Sequence, residues 1–193
     1  MFRLEKPDEV KQVENLDLVR MTRYEVLDRY GVSAMHYRAQ VIREQVLTAE
    51  ALKGMIAEAL EAPEVVKKGR LVWEALLPLV PLQPHGLDRW DVQWAAEEVL
   101  RTEEQRYEPP SGVWWWRLRV VHGIADPVMW VVEQAERHRP HERGWSRRLL
   151  EMVFGEAGKN KKPAALYSLV KRCRELLERR EGKKSIDAGS GMM

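Results

Sequence analysis

One cysteine, two asparagines, three threonines and two phenylalanines are all that 193 residues contain of those types. The single cysteine, Cys173, excludes an internal disulfide and a cysteine-built zinc site, and it fits a reducing cytoplasm. Long apolar runs are missing too. The most apolar stretch, Leu71 to Leu82, holds Glu74 and two prolines and is too short to span a bilayer. The opening MFRLEKPDEV turns charged within five residues, unlike a secretory leader, so a soluble cytoplasmic protein without membrane contact is expected. Few amides beside many charges of both signs fit a thermophile, and a GC-rich genome would skew usage the same way. Sustained apolar–polar alternation is also absent, which argues against strands.

What is present is helical periodicity between Pro and Gly stops. The spacing predicts helices near Asp8–Val19, Arg23–Tyr30 and from Ser33 towards Leu47. Thr48 can cap a helix whose stripe is Leu52, Met55, Ile56, Ala59 and Leu60, and Pro63 can open another reaching Leu77. Asp88–Tyr107 follows, stopped by Glu108-Pro-Pro-Ser-Gly112, and Asp126-Pro127 starts a helix to about Arg137. Gly144–Phe154 is closed by Gly155, and Pro163 opens a last helix with Leu166, Leu169, Val170, Cys173, Leu176 and Leu177 inward. The fold expected is all-α, a bundle of eight to ten helices. The prolines of Pro78–Gly86 suggest a boundary between residues 1–77 and 87–184, with 185–193 a small polar tail expected to be flexible, although one continuous domain is also compatible.

Charge is unevenly spread. Between Arg137 and Lys184 stand 15 Lys/Arg against six Glu, a local +9 in a chain of net +2, so the remainder sums to −7. Such a basic quarter on an acidic body points to a polyanion, most often nucleic acid; a set of solvated helical faces is the plain alternative. Lys159, Lys161 and Lys162 precede the helix opened by Pro163, where backbone N–H groups favour phosphate, and Lys171, Arg172, Arg174 and Arg179 project away from that helix's apolar stripe. Arg147 and Arg148 extend the basic set.

Two segments carry resemblances. RYEVLDRYGVSAMHYRAQVIREQ, Arg23–Gln45, resembles a helix-turn-helix, with Gly31 at the turn and Val26, Tyr30 and Val32 inward. The resemblance implies that Ser33, Ala34, Met35, Arg38 and Ala39 face a major groove. Leu27 stands where the motif takes a small residue and Gln40 where it takes an apolar one; two ordinary packed helices joined by a Gly-Val-Ser turn are the preferred explanation of the pattern. VFGEAGKNKKPAALYSLVKRCR, Val153–Arg174, is similar to C-terminal segments of phage and plasmid replication accessory proteins (initiators and helicase loaders), with Lys161-Lys162-Pro163 replacing their Asn-Pro turn.

Trp114-Trp115-Trp116 precedes Arg117 and Arg119. Three successive helical positions sweep about 200°, so the run suggests helix packing, a partner surface or a base-stacking platform. Trp73, Trp90, Trp94, Trp130 and Trp145 fall on apolar stripes and are expected in the core.

Chemistry finds little foothold. The histidines are scattered, and Pro140 interrupts the helix that His138 and His141 would need as a metal pair. Gly155–Asn160 lacks the phosphate-loop spacing, and Cys173 lies on an apolar stripe. No catalytic residue, metal, cofactor or small-molecule substrate is expected. The leading expectation is a nucleic-acid-binding accessory protein, with DNA favoured over RNA. The others are a helical scaffold subunit of a larger assembly, such as a CRISPR effector small subunit or a phage regulatory or structural factor, and a helix-turn-helix transcription regulator.

Overall fold

A computed structural model describes residues 3–102, 105, 112–138 and 145–190, and of residue 145 and residues 183–190 the backbone alone. No strand occurs among the described residues, and the fold is all-α. The helices are α1 (Asn15–Arg20), α2 (Arg23–Val41), α3 (Ala49–Leu60), α4 (Pro63–Lys68), α5 (Arg89–Leu100), α6 (Val113–Trp116), α7 (Pro127–Arg137), α8 (Trp145–Phe154) and α9 (Pro163–Ser190). Short 3-10 and π turns join them. The helix predicted over Asp8–Val19 is a 3-10 turn at Asp8–Val10 followed by α1, and the one predicted to reach Leu77 stops at Lys68, before Gly69 at φ +64°. The expected tail is helical through Ser190. The stop at residues 108–111, Arg139 and Arg143, and the side chains of Trp145, Lys183 and Lys184 lie outside the described residues.

The chain divides into two compact units. One comprises Met1–Val65 and Leu71–Arg106, the other Val66–Arg70 and Tyr107–Met193. By sequence the first carries 12 Lys/Arg against 19 Asp/Glu, net −7, and the second 20 against 11, net +9, which together restore the chain's +2.

The boundary is therefore not at Pro78–Gly86. That connector belongs to the acidic unit because Gly86 N–H donates to Val19 O at 2.9 Å and its Cα lies hard against the Met21 backbone, where a β-carbon would collide. Segment 66–70 joins the basic unit, its Gly69 O accepting from Val113 N at 3.3 Å.

In the acidic unit, Thr22 and Glu25 cap α2 reciprocally: Thr22 Oγ1 accepts from Glu25 N at 3.2 Å, and Glu25 Oε2 accepts from Thr22 N at 2.7 Å. The donation from the Thr22 backbone holds the Glu25 carboxyl below its usual range. Thr48 caps α3 through Ala51 N, and the predicted stripe Leu52, Met55, Ile56, Ala59 and Leu60 is fully buried. Each of the larger side chains in it contributes about 1.5–3 kcal/mol by leaving water.

Arg38 is the polar centre of this unit. Only 1 % exposed, it donates from Nε to Leu18 O and Met21 O, both at 3.1 Å, and from Nη2 to Gly86 O at 3.2 Å. Its guanidinium also clasps the Asp91 carboxylate at 2.9 and 3.1 Å. One side chain thus ties α1, α2, the proline-rich connector and α5 together. A buried charge is tolerable only when paired and fully hydrogen-bonded, and Arg38 is both.

In the basic unit α7 packs along α9 and α8 packs on the 3-10 turn at Gly155–Asn160. Asp126 caps α7, accepting from Val128 N at 3.1 Å and Met129 N at 3.2 Å, as Asp-Pro predicts. Arg180 of α9 grips the same carboxylate at 2.6 Å. Burial alone would raise the Asp126 carboxyl, but the Arg180 guanidinium and the two amides outweigh it and hold the group below its ordinary range.

Candidate nucleic-acid interface

The basic segment is built by two glycines that the sequence places four residues apart, counting both. Gly155 takes φ +60° and lies over the buried Arg117, whose Cζ would sit 2.6 Å from any β-carbon there. Gly158 is buried against the Leu150 carbonyl, with no room for a β-carbon. Both glycines therefore serve close packing within the unit. They fold Gly155–Asn160 onto α8 and deliver Lys159, Lys161 and Lys162 to the surface before α9 begins at Pro163.

All nine of the C-terminal cations singled out above are exposed: Arg147, Arg148, Lys159, Lys161, Lys162, Lys171, Arg172, Arg174 and Arg179. They fall into distinct sets. On α8 and the 3-10 turn, Arg147 reaches Glu151 at 3.5 Å and Lys159 reaches Glu156 at 2.8 Å. The Glu156 contact raises the Lys159 ammonium above its ordinary value, while Arg147 opposes the rise, which places these charges within one another's field. Lys161 lies 4.7 Å above the Phe154 ring, a cation–π contact.

The second set is on α9. Lys171, Arg172 and Arg179, with Ser168, Glu175 and Leu176, line a cavity of about 440 Å³. Arg172 and Arg179 are seven residues apart, about 10.5 Å along one helix face. Arg174 stands on another side and approaches Glu136 of α7 at 4.0 Å. Arg148, Lys161, Lys162, Lys171, Arg172 and Arg179 make no ion pair among the described residues. Such exposed cations keep their long-range field, whereas the paired Arg147 and Lys159 are partly neutralised.

The helix-turn-helix reading fails at Ala34 and Arg38 of its recognition residues, while Met35 and Ala39 are half-buried. Gly31 does break α2, at φ +84° and ψ −177°, where the turn was expected. But Arg38 is consumed by Asp91 and three carbonyl groups, Ala34 is buried, and Val32, expected inward, is 56 % exposed. Ser33 is exposed and Gln40 is buried, its Oε1 accepting from Leu4 N at 2.7 Å.

The tryptophan run serves helix packing, and its assignment as a partner surface is corrected. Trp114, Trp115 and Trp116 are 5 %, 0 % and 2 % exposed, so none offers a partner surface. Helix α6 has four residues and is enclosed on all sides, packing on α8 and on the π turn Arg117–Val121; Trp115 and Trp116 meet edge to face at 4.8 Å between centroids. Trp90 and Trp94, expected in the core, are instead exposed, and Trp73 and Trp130 are half-buried. On α5 the small Ala95 and Ala96 fill the inner face with Val92 and Leu100, leaving both indoles outward.

No group of three or more metal-ligating side chains occurs among the described residues, and Cys173 is a buried free thiol. No described helix is long and apolar enough to cross a membrane. Searched against protein-family models, curated proteins and solved structures, the chain matches none.

Proposed function

We propose that this protein is a non-enzymatic nucleic-acid-binding accessory factor that grips phosphates with its basic unit. The observation that carries this reading is the set of nine exposed cations, six of them without an ion pair among the described residues, on a unit of net +9 joined to one of net −7. Phosphate contacts of this kind supply affinity and position without reading bases. DNA is the preferred ligand, and the role in phage or plasmid replication rests on the resemblance of Val153–Arg174. The acidic unit repels a polyanion, so binding confines itself to one end of the chain. Burial of Arg38 weighs against a sequence-reading regulator, because the long cation of that motif cannot reach a base edge.

The test is fluorescence anisotropy with single- and double-stranded oligonucleotides across a salt series. Log affinity should fall linearly with log salt, with a slope of roughly −0.7 to −0.9 per phosphate contact. Changing Lys159, Lys161 and Lys162 together to Glu should flatten that slope by about two to three and weaken binding at low salt. Absence of binding at low salt overturns the reading.

A further inference from the structure

The acidic unit displays an aromatic feature that phosphate binding leaves unexplained. Trp90 and Trp94 stand one turn apart on the outer face of α5, 49 % and 39 % exposed. Each is held in place. Arg89 lies over the Trp90 ring with Cζ 5.1 Å from its centroid, and Arg43 over Trp94 at 4.3 Å. Each guanidinium is in turn anchored to a carboxylate, Arg89 to Glu74 at 3.0 Å and Arg43 to Glu98 at 3.5 Å. Each indole is thus braced on one ring face by a guanidinium, and the two keep 49 % and 39 % of their surface open. Rigid aromatic side chains that lose little freedom on contact are the usual anchors of protein interfaces.

The basic unit has a feature of matching chemistry. The cavity on α9 is lined by Lys171, Arg172 and Arg179 together with Ser168, Glu175 and the largely buried Leu176. Its three cations outnumber its one carboxylate and are suited to the open face of an indole. The net charges of the units, −7 and +9, draw the two surfaces together over a Debye length of about 10 Å at 0.1 M salt.

We propose that the protein self-associates head to tail, the Trp90–Trp94 knobs of one copy seating in the α9 cavity of the next. The two surfaces differ, so the contact is heterologous and propagates into a chain or closes into a ring. It also engages Lys171, Arg172 and Arg179, so a polyanion competes with it. The inference stands apart from the phosphate-gripping reading, since the assembly is tested with no nucleic acid present.

The experiment is sedimentation velocity of the full chain at low salt over a range of micromolar concentrations, with three samples: wild type, Trp90→Ala/Trp94→Ala, and Lys171→Glu/Arg172→Glu/Arg179→Glu. Wild type should grow beyond two copies with concentration and return to one copy near 1 M salt, where the Debye length is about 3 Å. Each variant alone lacks one of the two surfaces and should associate about 10- to 30-fold more weakly. Mixed, they should form a one-to-one complex that stops at two copies, because one variant keeps its cavity and the other its knobs. A wild type that remains a single copy at every concentration overturns the proposal, as do variants that assemble like wild type. Variants that are single alone and remain so when mixed also overturn it, since that is the behaviour of a symmetric contact. Should the tryptophan variant lose its helical circular dichroism, the charge reversal decides, because its exposed side chains leave the fold intact; association within about 10-fold of wild type then overturns the proposal.

Discussion

The acidic and basic units use the same residue types in opposite ways. In the acidic unit an arginine is the polar centre and the tryptophans of α5 face outward; in the basic unit three tryptophans form the core and the arginines of α8 and α9 face outward. Arg38 sits among carbonyl groups and a carboxylate that satisfy its donors, whereas Arg172 and Arg179 meet solvent with no ion pair among the described residues. A net charge of a unit therefore says little about which of its cations are available. Availability is decided by whether a carboxylate and free carbonyls converge on the same point.

The contrast can be broken from either side. Removing Trp115→Ala from the basic core should cost about 3–5 kcal/mol, and denaturant unfolding should then show the basic unit melting first while the acidic unit keeps its transition. Arg38→Ala strikes the acidic unit by the converse route, leaving Asp91 buried and unpaired. A loss of about 3 kcal/mol is expected, confined to the acidic unit's transition in the same measurement. Equal loss in both units for either variant would show that they do not unfold separately.

Smaller effects sharpen the comparison. Asp126→Asn removes the charge that Arg180 grips while keeping an acceptor for the α7 amides, and should cost about 0.5–1 kcal/mol near neutral pH. Its signature is in acid. The Asp126 carboxyl is held below its ordinary range in the folded state, so its contribution is complete above the unfolded value of about 4 and fades as pH falls through the folded one. Stability of the basic unit measured from pH 6 down to 2 should decline less steeply in the variant than in wild type. Smallest of all, Glu156→Gln breaks the exposed pair with Lys159 and should leave the unfolding midpoint unmoved, while strengthening oligonucleotide binding by freeing that ammonium.

Much of the fold was legible because its signals are local. Thr48, Asp126-Pro127, Pro163 and the Leu52–Leu60 stripe each specify a helix end or face by side chains a few residues away. The exposure of the C-terminal cations followed the same way, from their phase against Leu166, Val170 and Cys173. Arg38 was misplaced because its partner is 53 residues distant. A signal was nevertheless present: it shares the helical stripe of Ala34, Tyr37 and Val41, where a cation needs a buried carboxylate. At Trp114–Trp116 periodicity leaves helix packing and a partner surface open, and the choice between them rests on packing by α8, which is distant in sequence. On α5 the stripe of Trp90 and Trp94 is expected inward, although Ala95 and Ala96 share the phase of Val92 and leave both indoles opposite. A division into two units is expected from the sequence but at another boundary, because prolines mark where helix cannot form, and Gly86 shows that such a stretch can still be pinned within one unit.

The placement of the indoles also gives the molecule two built-in optical reporters. Enclosed rings such as Trp114–Trp116 emit at shorter wavelength and are shielded from a water-borne quencher such as acrylamide, while Trp90 and Trp94 emit further to the red and are open to it. The half-buried Trp73 and Trp130 fall between these two classes. The most readily quenched part of the emission therefore weights the acidic unit, and the part shielded from quencher weights the basic one.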